Sequence, residues 1–425
     1  MSKEGAEQLI KELQEKNGGF PPLAKKKAAV FLRRTSIEKG EDKVKQTVIR
    51  NGKVWSGVKT EEESVEILLE GHQIIDVATK VNSKEDCVII DANGGWVTPG
   101  IIDVHTHLGV YAQDVGKAGH DFNEITKPCT PEVRALDGID PSDSGFFDAR
   151  KAGVTTVQVL PGSANVIGGV TCVIKTTGRS VEEMIVRAPS AMKAALGENP
   201  KSVHGAKGKM PITRMGVAAV LRQELMHAQD YYNRKAKGEL LTRDLGMEQL
   251  LPVLKGDIPM RIHAHRADDI MTAIRIAKEF SIEITIEHVT EGHLVEKELL
   301  DSGFRFTIGP TFSARSKQEL ANKSWDTVKG FADAGVPFTI TTDHPVIPIE
   351  HLVTTAGYAR KHGIDEHTLL KAITVYAAEH LQLEHRVGTI ESGKDADIVI
   401  WSGHPLAIDT VVEQTIINGE AVYTR

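Results

Sequence analysis

The sequence predicts an α/β architecture: a (β/α)8 barrel of the TIM type with a small β-sandwich assembled from both chain ends. Three observations predict it. Residues 46–97 and the far C-terminus read as short strands broken by Asn-Gly and Gly turns. The long middle alternates apolar strands with helix-period stretches, the pattern of parallel βα units. That middle holds about eight strand candidates, the number such a barrel needs. The expected division is an N-terminal extension at 1–45, a composite β-sandwich from 46–97 with 384–425, and a barrel at 98–383.

Taken in order, residues 5–16 place Leu9, Ile10 and Leu13 among charges, a short amphipathic helix. Lys25 to Lys27 and Arg33-Arg34 flank an apolar patch and read as a solvated face. From Gln46 the period becomes that of strands. Thr47 to Trp55 is expected to form a hairpin around Asn51-Gly52, and Glu66 to Val77 a second one; Cys87 to Asp91 is a further strand. In the middle, strands are expected at Ile101 to Thr106, Gly153 to Val159, Val170 to Thr176, Ala191 to Leu196, Met260 to His265, Ile282 to His288, Phe304 to Gly309 and Val336 to Asp343. Gly216 to Tyr232 reads as a long helix, and Ile270, Ala273, Ile274 and Ala277 mark another. At the end, Ala396 to Trp401 is a strand and Thr415 to Tyr423 a hairpin around Asn418-Gly419.

Bulk properties narrow the function. The 425 residues carry a net charge of −7, which points away from nucleic acid and anionic membranes. Three separated cysteines, Cys87, Cys129 and Cys172, form no Cys-x-x-Cys pair and fit a reducing compartment. No apolar stretch is long enough for a signal peptide or a bilayer span. The expectation is a cytoplasmic protein, a homo-oligomer, acting on a small molecule.

The chemistry gathers at strand ends. His105 and His107 leave one face of the same strand, because alternate strand residues point the same way. His263, His288 and Asp343 end later strands, and a barrel builds its active site at the carboxyl ends of its strands. Imidazole and carboxylate suit zinc, with iron or manganese as alternatives. His265, two residues beyond His263, faces the same way and competes with it. Tyr111, His204, Arg266 and Arg315 lie between strands and are candidates for holding the substrate.

The stretch Pro99-Gly100-Ile101-Ile102-Asp103-Val104-His105-Thr106-His107 resembles the opening signature of the amidohydrolase superfamily. His263, His288 and Thr342-Asp343 follow in that family's order. Val387 to Val399 is similar to the segment where those chains leave the barrel. The resemblance spans residues 46–425 and is strongest to the imidazolonepropionase-like branch. It implies that His105, His107, His263 and His288 are metal ligands and that Asp343 is both ligand and proton shuttle. Many such enzymes bridge two metals with a glutamate or a carboxylated lysine. Glu198 and Lys193 both lie in the relevant segment; Glu198 is the preferred candidate because it sits nearest the strand end and needs no modification. A mononuclear site using neither stays open.

The implied activity is metal-dependent hydrolysis of an amide or cyclic amide C–N bond. A divalent ion, one or two per chain, lowers the pKa of bound water and holds hydroxide as nucleophile. Asp343 then moves the proton to the leaving nitrogen, with His344 the next candidate base. The competing readings are a deaminase of a nitrogen heterocycle, which would release ammonia, and a non-catalytic scaffold, which would hold no stoichiometric metal.

Overall fold

Two small sheets flank the barrel in the computed structural model, which describes residues 45–59, 62–239 and 242–425, and one of them joins strands from both sides of the chain. The helix expected at 5–16 and the basic stretch at 25–34 lie outside the described residues. The first part supplies β1 (Gln46–Arg50), β2 (Lys53–Val54), β3 (Glu66–Glu70), β4 (Gln73–Ala78), β5 (Val88–Asp91) and β6 (Trp96–Pro99). One sheet has the order β4-β3-β1-β5. The central sheet follows, with β7 (Ile101–Thr106), β8 (Val154–Val159), β9 (Ile167–Lys175), β10 (Ile185–Ala195), β11 (Met260–Ala264), β12 (Ile284–His288), β13 (Arg305–Ile308) and β14 (Phe338–Ile340). The C-terminal strands β15 (Ile398–Trp401), β16 (Val412–Ile417) and β17 (Glu420–Thr424) then join β6 and β2 in the order β17-β16-β15-β6-β2.

The two Asn-Gly pairs behave differently. Asn418-Gly419 closes a two-residue hairpin, with Ile417 opposite Glu420 and both turn residues at positive φ, 52° and 78°. That is the backbone a tight hairpin turn demands. Asn51-Gly52 closes no hairpin: β1 pairs with β3 and β5, whereas β2 pairs with β6 in the other sheet. Gly52 leaves no room for a side chain, since a Cβ there would lie 2.6 Å from Val97. The pair therefore carries the chain between sheets instead of folding it back. Strand β15 runs antiparallel to β6, with Ile398 opposite Pro99, so the far end of the chain is stitched to the strand that feeds the barrel. Ile49, Ile67, Leu69, Val97, Ile398 and Ile416 share one buried cluster across this junction. Each such side chain contributes roughly 1.5–3 kcal/mol on burial.

The eight central strands follow one another in chain order. The barrel departs from the fully parallel pattern at β9, which runs antiparallel to both β8 and β10. The reason is length. Only residues 160–166 join β8 to β9, and a parallel crossover needs a dozen or more. β7 and β14 are not joined by a ladder. Their seam is closed by hydrogen bonds from Thr341 Oγ1 to the His105 carbonyl, 2.8 Å, and from the His107 amide to the His344 carbonyl, 2.9 Å. Ile102 and Val104 point outward from β7 onto Ala377, Ala378 and Leu381. Alternation then sends Asp103, His105 and His107 inward. β14 is shorter than expected, three residues, so Asp343 stands in a turn beyond it. No helix among the described residues is long and apolar enough to cross a membrane.

Candidate metal centre

Five residues expected at strand ends meet at the carboxyl end of the barrel. The His105 and His107 Nε2 atoms lie 3.6 Å and 3.4 Å from Asp343 Oδ1. His105, His288 and Asp343 present ligand atoms within 4.8 Å of one another, and so do His263, His265 and His288. His288 is common to both groups.

Two of these side chains reach the cluster through unusual backbone. His288 follows Glu287, and Glu287 faces inward with Thr285, which donates a hydrogen bond to it. Regular alternation would turn His288 outward. Instead His288 has φ 76°, and its ring swings to within 4.3 Å of His263 and 4.9 Å of His105, centroid to centroid. Asp343 likewise has φ 52°. A non-glycine residue in this region costs of order 1–3 kcal/mol and concentrates at functional sites.

The hydrogen bonds behind the rings fix their tautomers. The Nδ1–H groups of His105, His107 and His288 donate to Glu287 Oε2 at 2.8 Å, the Leu160 carbonyl at 2.8 Å and the Gly309 carbonyl at 2.7 Å. Each ring is thereby left with an Nε2 lone pair facing the cluster, the ligand form of imidazole. His265 Nδ1 lies 2.7 Å from Thr290 Oγ1. Both ring nitrogens of His263 and Nε2 of His288 are buried without a partner. Buried polar atoms are nearly always paired, so these orphaned nitrogens fit a cation held between them. His344 is oriented the opposite way: its Nδ1 accepts the Ile349 amide at 3.1 Å, which puts the proton on Nε2. It therefore offers no free lone pair as an alternative base.

Electrostatics favour the same state. Burial, and then the Lys193 charge, push His105 down to about 3. Burial lowers His288 to about 4 and holds His263 and His265 well below the usual imidazole range. All are neutral at pH 7, as ligation requires. Burial by itself would raise Asp343, but the imidazoles of His107, His288 and His105 beside it outweigh burial and hold the carboxyl below its usual range. Glu287 is fully buried, and despite that burial the Arg261 guanidinium and the His105 hydrogen bond keep it ionised. Arg261 lies 3.3 Å from Glu287 Oε1 and also contacts His380. Asp103 accepts Thr341 Oγ1 at 2.5 Å and Thr342 Oγ1 at 2.6 Å, fixing the turn that presents Asp343.

Of the two bridging candidates, Lys193 is the one in the cluster. It is buried on β10, with Nζ 3.0 Å from His105 Nε2. Burial lowers its pKa to about 8. Glu198 lies past the strand on the helix Glu198–Gly205, in neither ligand group, with its amide donating to Glu319. The strand end falls at Ala195, and the Gly197 turn (φ 79°) carries the chain away before Glu198.

A cleft of about 510 Å³ opens in front of the cluster, lined by His107, His263, His265 and Asp343. Tyr111 lines it as expected, beside Phe122, with ring centroids 5.3 Å apart. The other three substrate-binding candidates do not line it. His204 is buried and bonded to Asn165 at 2.9 Å, Arg266 is paired with Asp268 at 3.0 Å, and Arg315 reaches the Lys323 carbonyl at 3.0 Å. Lining residues that sequence reasoning passed over include Ser163, Asn199 and Lys317. Ser163 and Lys317 sit on loops and Asn199 in the first turn of a short helix, where no periodicity points to them.

A strand barrel with imidazoles and a carboxylate at its carboxyl end defines the class of metal-dependent hydrolases. The family model described as "Amidohydrolase family" matches residues 96–422. A crystal structure of an amidohydrolase from Thermotoga maritima is 40% identical, with a TM-score of 0.86, covering 89% of this chain and all of that one. An amidohydrolase of Hapsidospora irregularis is 31% identical over 89% of this chain; the chain spans 43% of that relative's length. An imidazolonepropionase of Rhizorhabdus wittichii is 25% identical, over 73% of this chain and 80% of that protein. The chain belongs to the amidohydrolase family, with imidazolonepropionases among its distant relatives, and its class of reaction is hydrolysis of carbon–nitrogen bonds.

Proposed function

We propose that this protein hydrolyses an amide or cyclic amide C–N bond in a small molecule entering the 510 Å³ cleft. The observation that carries the reading is the set of lone pairs facing one cluster, on His105, His107, His263 and His288, with the Asp343 carboxylate among them at the cleft. His105, His107 and Asp343 would hold one divalent ion; His263 and His288 would hold a second, with His265 beside them. The imidazole-rich donor set suits zinc best. An ion bound there supplies acidified water and a polarised carbonyl. The protein's own residues do the rest. Asp343 Oδ1 lies between two histidine nitrogens, which leaves Oδ2 to take a proton from the attacking water and return it to the departing nitrogen. Tyr111 and Phe122 form an aromatic wall that orients the substrate beside His107.

Lys193, rather than Glu198, is the bridging residue in this reading. Its neutral amine adds to carbon dioxide, forming an N–C bond and losing one proton, and the resulting carbamate offers two oxygens. Lys193→Ala should then lower metal content from about two to about one per chain, and assembly of the wild-type site should depend on bicarbonate. Glu198→Gln should leave both properties unchanged. The reverse pattern would return the bridge to Glu198. Activity is tested by a hydrolysis screen over dipeptides, N-acyl amino acids, lactams, hydantoins and imidazolones on the metal-loaded protein. Absence of turnover across that panel would overturn the C–N reading.

A further inference from the structure

The segments that follow β8, β10 and β13 bring Ser163, Asn199 and Lys317 together on one wall of the cleft. Lys317 Nζ donates to Asn199 Oδ1 at 3.0 Å, and Asn199 Nδ2 donates to Ser163 Oγ at 2.7 Å. An ammonium has donors and no acceptor, so it dictates the orientation of the Asn199 amide, and that amide in turn orients Ser163. Lys317 also lies 3.1 Å from Glu319 Oε2. Glu319 is buried, and its other oxygen accepts the Glu198 amide. One N–H group of Lys317 is thus spent on Asn199, and Glu319 holds the ammonium by charge alone.

Lys317 is the only lysine or arginine lining the cleft among the described residues, and the cleft's only carboxylate, Asp343, belongs to the histidine cluster. With cations held at that cluster, Lys317 adds to a positive cleft lining. A positive, partly desolvated pocket selects an anion. Much of the remaining wall is apolar: Phe122, Val203, Leu320 and Val346 line it too. The arrangement is a cationic anchor and the reacting centre on one cleft, with apolar wall beside them.

We infer that Lys317, held by Asn199 and Glu319, seats a carboxylate of the substrate, so that the protein acts on C–N compounds carrying a free acid in addition to the bond that is cut. This rests on the proposed C–N hydrolysis at the same cleft. The plainer role for Lys317, neutralising Glu319, accounts for the ion pair but not for the cation's position on the cleft wall. A purely structural lysine would affect stability without distinguishing an acid from its amide.

The test uses matched substrates, each N-acyl amino acid, dipeptide or lactam acid beside its primary carboxamide, on metal-loaded wild type, Lys317→Met and Lys317→Arg. In the wild type, kcat/KM for the acid should exceed that for the carboxamide by roughly 10- to 100-fold, the scale of one charge-assisted hydrogen bond. In Lys317→Met that preference should collapse, chiefly through a higher KM for the acid. Lys317→Arg, which keeps the charge, should restore most of it. Equal turnover of acid and carboxamide by the wild type, or a preference that survives Lys317→Met, overturns the inference while leaving the C–N reading intact. If Lys317→Met does not fold, Lys317→Gln combined with Glu319→Gln removes both charges and is read the same way. If nothing in the panel is hydrolysed, the C–N reading fails by itself. Binding of N-acetylglycine against N-acetylglycinamide, measured calorimetrically, then decides Lys317: tighter acid binding that is lost in Lys317→Met supports it, and equal binding refutes it.

Discussion

The histidine cluster has a barrel side and a cleft side, and they differ in how completely their polar atoms are satisfied. On the barrel side, Glu287 meets His105 and Arg261, and Asp103 meets Thr341 and Thr342. On the cleft side, both ring nitrogens of His263 and Nε2 of His288 have no partner, and Lys317 keeps a donor unspent. The satisfied side sets orientation and the unsatisfied side supplies binding capacity. Order behind and vacancy in front is what a preorganised site requires, because groups already fixed need not be ordered when a ligand arrives.

The comparison breaks most sharply if a histidine facing the cluster is removed. His105→Ala or His263→Ala should abolish metal binding at its subsite together with activity, measured as metal content of the purified protein and turnover. Full metal occupancy in either variant would place that ligand elsewhere; for His263, the neighbouring His265 would be the replacement.

Asp343→Asn comes next. The amide keeps one oxygen for the cluster but cannot accept a proton. Turnover should fall by roughly two to four powers of ten with metal largely retained, and the loss should appear in kcat more than in KM. Because its neighbours hold Asp343 below the ordinary carboxylate range, it is ionised at every pH above that range. Loss of activity on acidification toward pH 5 should therefore survive in a substrate-saturated profile of the variant's residual activity. A profile that turns flat in Asp343→Asn would assign that limb to Asp343 instead.

The smallest effect belongs to the satisfied side. Glu287→Gln preserves shape and an acceptor for His105 but removes the charge. Metal affinity, titrated into the apoprotein, should weaken about 10- to 100-fold, as for other partners behind a ligating histidine. Arg261 would then be a buried cation without its carboxylate, so thermal stability should fall as well, and Glu287→Gln with Arg261→Met should recover the stability but not the affinity. Equal affinity in Glu287→Gln and wild type would mean that the backing of His105 is dispensable.

The strand residues were the legible ones. His105, His107 and His263 stand on apolar strands at even spacing, and period alone assigns them one face. Asp103, Arg261 and Glu287 carried the same signal, buried charges on the inward face of strands that already bear a histidine, and could have been read from it. His288 was assigned to its strand end correctly, yet what turns it inward is a left-handed backbone that no side-chain pattern announces. Residues beyond the strand ends were the illegible ones. Lys317 and Asn199 are separated by more than a hundred residues and meet only because two strand ends do, while Arg266 and Arg315, equally plausible in sequence, found partners elsewhere. The antiparallel β9 was hidden as well: its composition suits either direction, and only the shortness of residues 160–166 decides.

The pairing of β15 with β6 has a consequence in time. β6 runs through Gly100 straight into β7, and the Gly100 amide is held by the Asp397 carbonyl at 2.9 Å. On the ribosome, His105 and His107 emerge long before Ile398 does. β6, which leads into the strand that carries them, stays without β15 until Ile398 has been made. A nascent chain cut short before β15 would carry every candidate ligand and still lack the strand that pins the entry to β7.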